Sequence, residues 1–414
     1  MYHITMMKIS VSKLIFKLSH FFLGVFFILF TFLSKSQDLP DLGGEEGSEL
    51  SPIVEHQLGK RIMLDLRKDS LYLDDLVVID YLNYLGGILL NSIDEGSNEL
   101  NYQYFFFAMK DSSINAFALP GGFIGSNTGL IISAKTESEL ASVLAHEISH
   151  VEQRHIARML SNRGRNSLLP IAGLILAAIA GQTSPDLAKA ALMGSSGLAA
   201  QNQLNFGRNA EREADRLGLK ILLQSGFEPK GMINFFGRLQ KATRNRSNKL
   251  PSYLRTHPLT TERISDIEAR IRNYPETKIK DSLDFEFIKS RLLVLQNDSF
   301  QSIKNSEIFF YQQLNEGNLS KKLAAKYGIS LISYARNDFS KAFNLINDIL
   351  EQVEKNSLQF KTTILQSFII ELMIAKKNYV QALKTVEDIK KEFPYSKSIS
   401  RLYFDSLVKN EKKK

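Results

Sequence analysis

The segment His146-Glu147-Ile148-Ser149-His150 lies inside an apolar-periodic run from Glu137 to Leu160, and a run of that length and period predicts a helix. Residues four apart on a helix project from one face, one turn apart, so the two histidines present a pair of imidazole donors with Glu147 beside them. In this pattern two histidines bind zinc and the glutamate takes a proton from water. The motif also constrains the fold. Whatever surrounds this helix has to bury a metal site and bring a third ligand to it.

A catalytic zinc site needs three protein ligands and one open position. The candidate for the third is Glu211, in the stretch Asn205 to Asp215. Glu211 and Asp215 are four apart, so a helix sets both carboxylates on one face. One can bind metal while the other accepts the second ring N–H of a ligand histidine and fixes its orientation. The bland alternative is a solvated charged helix. His155 is the rival ligand, but on an ideal helix it falls about half a turn off the metal face. Gln153 and Ile156 stand where a metzincin needs glycine and histidine. His155 is therefore expected at the surface.

Three segments carry a resemblance: Leu144-Ala145-His146-Glu147-Ile148-Ser149-His150-Val151, then Glu211-Arg212-Glu213-Ala214-Asp215-Arg216, then Thr256-His257-Pro258-Leu259. Together they resemble the gluzincin family that contains the CAAX prenyl proteases and the HtpX-type heat-shock proteases. Leu39-Pro40-Asp41-Leu42-Gly43 after a signal sequence, with helical repeats at the far end, narrows the likeness to the periplasmic β-barrel assembly-enhancing proteases of Gram-negative bacteria. It runs from about Leu39 to Arg272 and fades beyond. The resemblance implies that His146, His150 and Glu211 are zinc ligands and Glu147 the general base. It also implies that His257 lies near the metal, where it either stabilises the tetrahedral intermediate or takes the fourth zinc position in a latent state. An imidazole can do both, and a capping role in a loop is the plain alternative. Zinc is the expected cofactor, one ion per chain, although other divalent ions suit the same donors.

With 414 residues and 44% hydrophobic content, the chain has room for two or three domains. It has no cysteine, which excludes a disulfide framework, thiol catalysis and a lipid-modified cysteine. Lys8, Lys13 and Lys17, the apolar run Phe21 to Leu33, and the small residues Ser34 and Ser36 have the order of a secretory signal. Cleavage is expected after Ser36, with an uncleaved anchor as the alternative. Loss of residues 1–36 removes four lysines and no acid, so the net charge of +8 falls to +4. That balance calls for no nucleic acid, and no motif for it is present.

The expected fold class is mainly α with a small β meander: a zincin-type metalloprotease domain followed by an α-helical, tetratricopeptide-like repeat domain. The boundaries read as a signal at 1–36, an extended leader at 37–51, the protease domain at 52–274, a linker at 275–282 and the repeats at 283–410. The meander comprises Tyr102 to Met109, Ser113 to Leu119 and Phe123 to Ser126, with the turn Pro120-Gly121-Gly122 between the last two. In the resembled family the strand before that turn borders the cleft, which makes Asn115, Ala116 and Phe117 substrate-binding candidates by strand addition; plain sheet core is the competing reading. Residues 168–180 are apolar nearly throughout and too short to span a bilayer. They read as a lid, a peripheral membrane contact or a buried helix.

In the C-terminal region, Ala335 to Phe343 and Ala375 to Leu383 align at an offset of forty residues, each with a small residue, a polar turn, an aromatic and an alanine. This is similar to the helix-turn-helix of tetratricopeptide repeats, stretched over their usual length, and a plain helical bundle is the alternative. The combined expectation is a periplasmic zinc endopeptidase that cleaves misfolded or stalled envelope and outer-membrane proteins, its repeats binding partners such as the outer-membrane assembly machinery. Two rivals stand beside it: a chaperone-like assembly scaffold with a latent metal site, and an inner-membrane protease anchored by residues 21–33.

Overall fold

The structure, a computed structural model, describes residues 51–93, 103–161, 197–245, 251–272, 274, 281–296 and 299–411. The expected signal, residues 37–50 of the leader, the apolar segment 168–180 and residues 275–280 of the linker lie outside them. The first part of the described chain runs α1 (Pro52–Leu66), α2 (Leu76–Leu90), β1 (Phe105–Met109), β2 (Ala116–Leu119), β3 (Phe123–Asn127), α3 (Thr128–Ser133), α4 (Glu137–Glu152), α5 (His155–Ser161), α6 (Gly197–Gln224), α7 (Lys230–Asn245), α8 (Ser252–Thr256) and α9 (Thr261–Ile271). No helix among the described residues is long and apolar enough to cross a membrane.

The histidine motif lies on α4, the most enclosed helix of the region. Thr136 caps it by accepting from the Glu139 N–H, and Glu137 and Glu139 complement the dipole in the first turn. Every residue from Glu137 to Ser149 is buried, because α6, α7, α2 and the sheet pack around it. The periodic run does not continue as one helix to Leu160. At Arg154 the backbone turns left-handed, φ 51°, and α5 starts in a new direction.

The three strands form one small sheet, but not in the sequential order of a meander. β3 is central, with β2 antiparallel on one side and β1 parallel on the other, Phe105 opposite Phe123 and Met109 opposite Asn127. Alternation marks strands without saying which pair; here the tight turn fixes β2 to β3. Gly121 and Gly122 take φ values of 74° and 93°, and a Cβ on Gly121 would lie 2.3 Å from the His56 Cα, so this turn needs glycine. The outer edge of β1 is covered. Asn83 accepts from the Phe106 N–H at 3.1 Å and donates to its carbonyl at 2.8 Å, and Leu73 donates to Ala108. That leaves β2 as an edge strand, beside α4.

Beyond residue 281 the chain is helical: α10 (Leu283–Leu295), α11 (Phe300–Glu316), α12 (Leu319–Ala335), α13 (Phe339–Lys355), α14 (Ile364–Ala375), α15 (Tyr379–Glu392) and α16 (Lys397–Glu411). The two nine-residue stretches that align at forty residues have the same turn. Asn337 and Lys377 both adopt φ 61°, and in each the following amide reaches back to close the helix, Asp338 to Ser333 and Asn378 to Met373, at 2.9 Å.

Buried and half-buried carboxylates bind this region to the first part of the chain. Asp75 caps α2 and accepts from Arg291 at 2.8 and 3.0 Å. Glu137 accepts from the Ser282 N–H and hydroxyl and from the Tyr81 hydroxyl at 2.8 to 2.9 Å. Asp80 accepts from the hydroxyls of Ser396 and Ser398 at 2.7 Å. One hydrophobic cluster extends from Leu82 and Leu144 to Phe287 and Phe368. Arg291→Ala would take a buried cation away from the part-buried carboxylates of Asp75 and Glu371, an effect of at most about 3–5 kcal/mol. Urea unfolding should register it as a lower midpoint.

Candidate metal centre

Helix α4 supplies His146, Glu147 and His150; α6 supplies Glu211 and Asp215; His257 follows α8 as its C-cap residue. The two helices meet closely at Gly218, where a Cβ would fall 3.1 Å from both the Cα and the N of His146. A side chain there would push against backbone, so glycine sets the distance at which Glu211 meets the histidines.

His146, His150, Glu211 and His257 each offer one ligand atom, all within 4.8 Å of one another. Four donors about 2.05 Å from a tetrahedral zinc are roughly 3.3 Å apart. Here His146 Nε2 is 3.1 Å from His150 Nε2, 3.4 Å from His257 Nδ1 and 3.5 Å from Glu211 Oε2. Glu211 Oε1 is 3.4 Å from His150 Nε2 and 3.1 Å from His257 Nδ1. These distances lie near that spacing, with Glu211 turning one oxygen to His146 and the other to His150 and His257, and the cluster fits a zinc site.

Charged and aromatic groups stand behind several of the ligands. His146 Nδ1 stands 3.1 Å from Asp215 Oδ1. Arg263 grips Asp215 with two N–H groups at 2.6 and 2.7 Å, approaches Glu211 Oε2 at 2.9 Å and donates to the Pro258 carbonyl at 2.8 Å. One guanidinium thus ties α6 to the His257 loop. Tyr253 stacks on His257, ring centroids 4.6 Å apart, and its N–H bonds the Ile114 carbonyl just ahead of β2.

His155 corrects the sequence expectation. It is buried, 4% exposed, with Nδ1 2.8 Å from His150 Nδ1 and Nε2 3.1 Å from Glu213 Oε2. An unbroken helix would carry His155 half a turn away, but the left-handed Arg154 returns the chain toward the metal face.

The charges are strongly coupled. Burial disfavours a charged His146, yet contacts with Asp215 and Glu211 outweigh it and carry His146 up to about 10. Glu211 is held well below the carboxylate range; burial opposes this, and His257, His146 and His150 overcome it. Burial and the neighbouring His150 bring His155 down to about 4. The negative potential that keeps a proton on His146 is the one a divalent cation would meet.

Glu147 is 1% exposed, and its Oε1 lacks a hydrogen-bond partner. The nearest polar contact recorded for it is His257 Nε2, at 3.4 Å. Asn115 and Ala116 are buried and Phe117 is half-buried against Phe107, so what this segment presents is the backbone edge of β2.

Residues 88–271 match the sequence profile of peptidase family M48. The chain carries an M48 metallopeptidase domain. The putative β-barrel assembly-enhancing protease of Vibrio cholerae is 34% identical over 324 residues, 77% of this chain and 64% of that protein. The β-barrel assembly-enhancing protease of Escherichia coli K12 is 32% identical over 319 residues, again 77% of this chain and 64% of the other. The mitochondrial metalloendopeptidase OMA1 of Schizosaccharomyces pombe is 30% identical over 185 residues, 45% of this chain and 50% of that one. The match thus spans a little under two thirds of the length of the bacterial relatives.

Arg263, Tyr253 and Glu213 are M48-domain site residues that sequence reasoning missed. Arg263 had a signal: it shares an i, i+4 stripe with the buried Ile267 and Ile271, an unusual place for a cation without a partner. Glu213 had none, because its role depends on where His155 goes. Gly218→Val should separate α4 from α6, an overpacking cost of about 1–3 kcal/mol. The expected result is less than one bound metal ion per chain and a lower thermal midpoint, read by elemental analysis and calorimetry.

Proposed function

We propose that the chain is a zinc-dependent endopeptidase of the bacterial periplasm that hydrolyses misfolded or stalled envelope and outer-membrane polypeptides. The observation that carries the reading is the close spacing of donor atoms from His146, His150, Glu211 and His257 beside the buried Glu147 carboxylate. His146, His150 and Glu211 would hold one zinc ion, which when bound polarises the scissile carbonyl and eases deprotonation of water. Glu147 takes the proton of the attacking water and passes it to the leaving amine. Asp215, itself fixed by Arg263, keeps His146 in the orientation that points Nε2 at the site.

The role of His257 follows from which of its atoms faces the ligands. Nδ1 is within 3.1 to 3.4 Å of donors of Glu211 and His146, while Nε2 lies 3.4 Å from Glu147. An imidazole in that position takes the fourth ligand place and also engages the base, which favours latency over oxyanion donation. Substrate would displace it and add a strand along the edge of β2 at Asn115, Ala116 and Phe117.

The division of labour is catalysis within 52–274 and partner binding by tetratricopeptide-like repeats within 283–410. The repeated left-handed turns at Asn337 and Lys377 support the repeat reading. The names of the bacterial relatives support the substrate class and the envelope location, and the signal pattern at 1–36 supports export.

Purified residues 37–414 and the Glu147→Gln variant should each hold about one zinc ion, with cleavage of an unfolded protein lowered at least ~100-fold in the variant. Zinc in both with cleavage in neither would favour the scaffold, and zinc in neither would remove the metal reading. His257→Ala should retain zinc and cleave faster than wild type in the same assay. A slower variant would instead make His257 an oxyanion donor.

A further inference from the structure

We infer that His155 is a positioning residue for the metal ligand His150, through a hydrogen-bonded chain from His150 to His155 to Glu213. The inference rests on the metal reading above. His150 directs Nε2 at the other ligands, 3.1 Å from His146 Nε2 and 3.4 Å from Glu211 Oε1. A ligating nitrogen carries no proton, so the ring proton sits on Nδ1. That N–H meets His155 Nδ1 at 2.8 Å, which must therefore accept. His155 then has its own proton on Nε2, and Nε2 faces the Glu213 carboxylate at 3.1 Å. Arg158 donates to the same Glu213 oxygen at 2.9 Å. Each ring proton in the chain has one acceptor, so the geometry selects a single tautomer for both rings.

The backbone is arranged to make this contact. A non-glycine residue in the left-handed region persists only where its surroundings hold it there. Arg154, at φ 51°, is held by the buried Glu55, which accepts from its Nε at 2.8 Å. The result is a partner behind each histidine of the helix motif: the buried Asp215 near His146, and the buried His155, backed by the partly exposed Glu213, behind His150. Such partners orient the ring and raise its basicity toward metal.

The test uses the full chain with His155→Phe, which keeps a ring but no acceptor, and His155→Asn, whose Oδ1 can accept where Nδ1 did. Zinc release to a chelator and the visible spectrum of the cobalt-substituted protein read ligand geometry; thermal melting of the ion-free protein reads packing. His155→Phe should release zinc roughly 10- to 100-fold faster with an altered cobalt spectrum and an undiminished ion-free melting point, and His155→Asn should recover most of the loss. Wild-type zinc retention in His155→Phe would overturn the positioning role alone. Equal zinc loss in both variants together with lower ion-free melting points would replace it with simple packing. Wild-type protein that binds no zinc would overturn the metal reading, and this inference with it.

Discussion

The arrangement depends on one close approach, that of α4 and α6 at Gly218, where the backbone of the histidine helix has no room for a side chain opposite it. Two helices of ordinary spacing would leave a carboxylate on one too far from imidazoles on the other. At this spacing a short Glu211 side chain reaches both His146 and His150, at 3.5 and 3.4 Å. The other features of the site follow from having brought charge into a buried place.

Three histidines and three carboxylates, Glu147, Glu211 and Asp215, share a volume from which water is largely excluded, and buried charge is tolerated only when paired. Arg263 carries much of that load. It neutralises Asp215, approaches Glu211 and holds the Pro258 carbonyl, so the residue that satisfies the electrostatics also fixes the loop bearing His257. Through Tyr253 the same loop is tied to the chain entering β2. One residue, Tyr253, thus holds both the His257 ring and the chain that leads into the edge strand.

The helical region does not hang from the M48 domain by a tether. Asp75, Asp80 and Glu137, all near the starts of α2 and α4, reach across to Arg291, Ser396, Ser398 and Ser282. Of these, the Glu137–Ser282 contact sits at the N-terminal end of the helix that bears His146 and His150. The helical region thus braces the scaffold of the site from the opposite end to the metal, with a continuous apolar core between.

Local chemistry was legible in the sequence. The histidine pair, Glu147, and the Glu211–Asp215 spacing depend only on helical period, and the residues concerned do converge. Strand identity and the glycine turn at Gly121 were legible for the same reason, as were the paired turns forty residues apart. Pairing and direction were not. The sequential meander gave way to a β1-β3-β2 sheet because Asn83 and residues 71–73 cover the outer edge of β1. His155 moved from an expected surface position to a brace behind His150 because one left-handed residue, Arg154, held by Glu55 from a distant helix, ended the helix early. The sequence by itself determined which residues share a face, since that follows from the backbone repeat. Only the tertiary structure decided which faces meet and which buried charges find partners, since those depend on contacts between residues far apart in the chain.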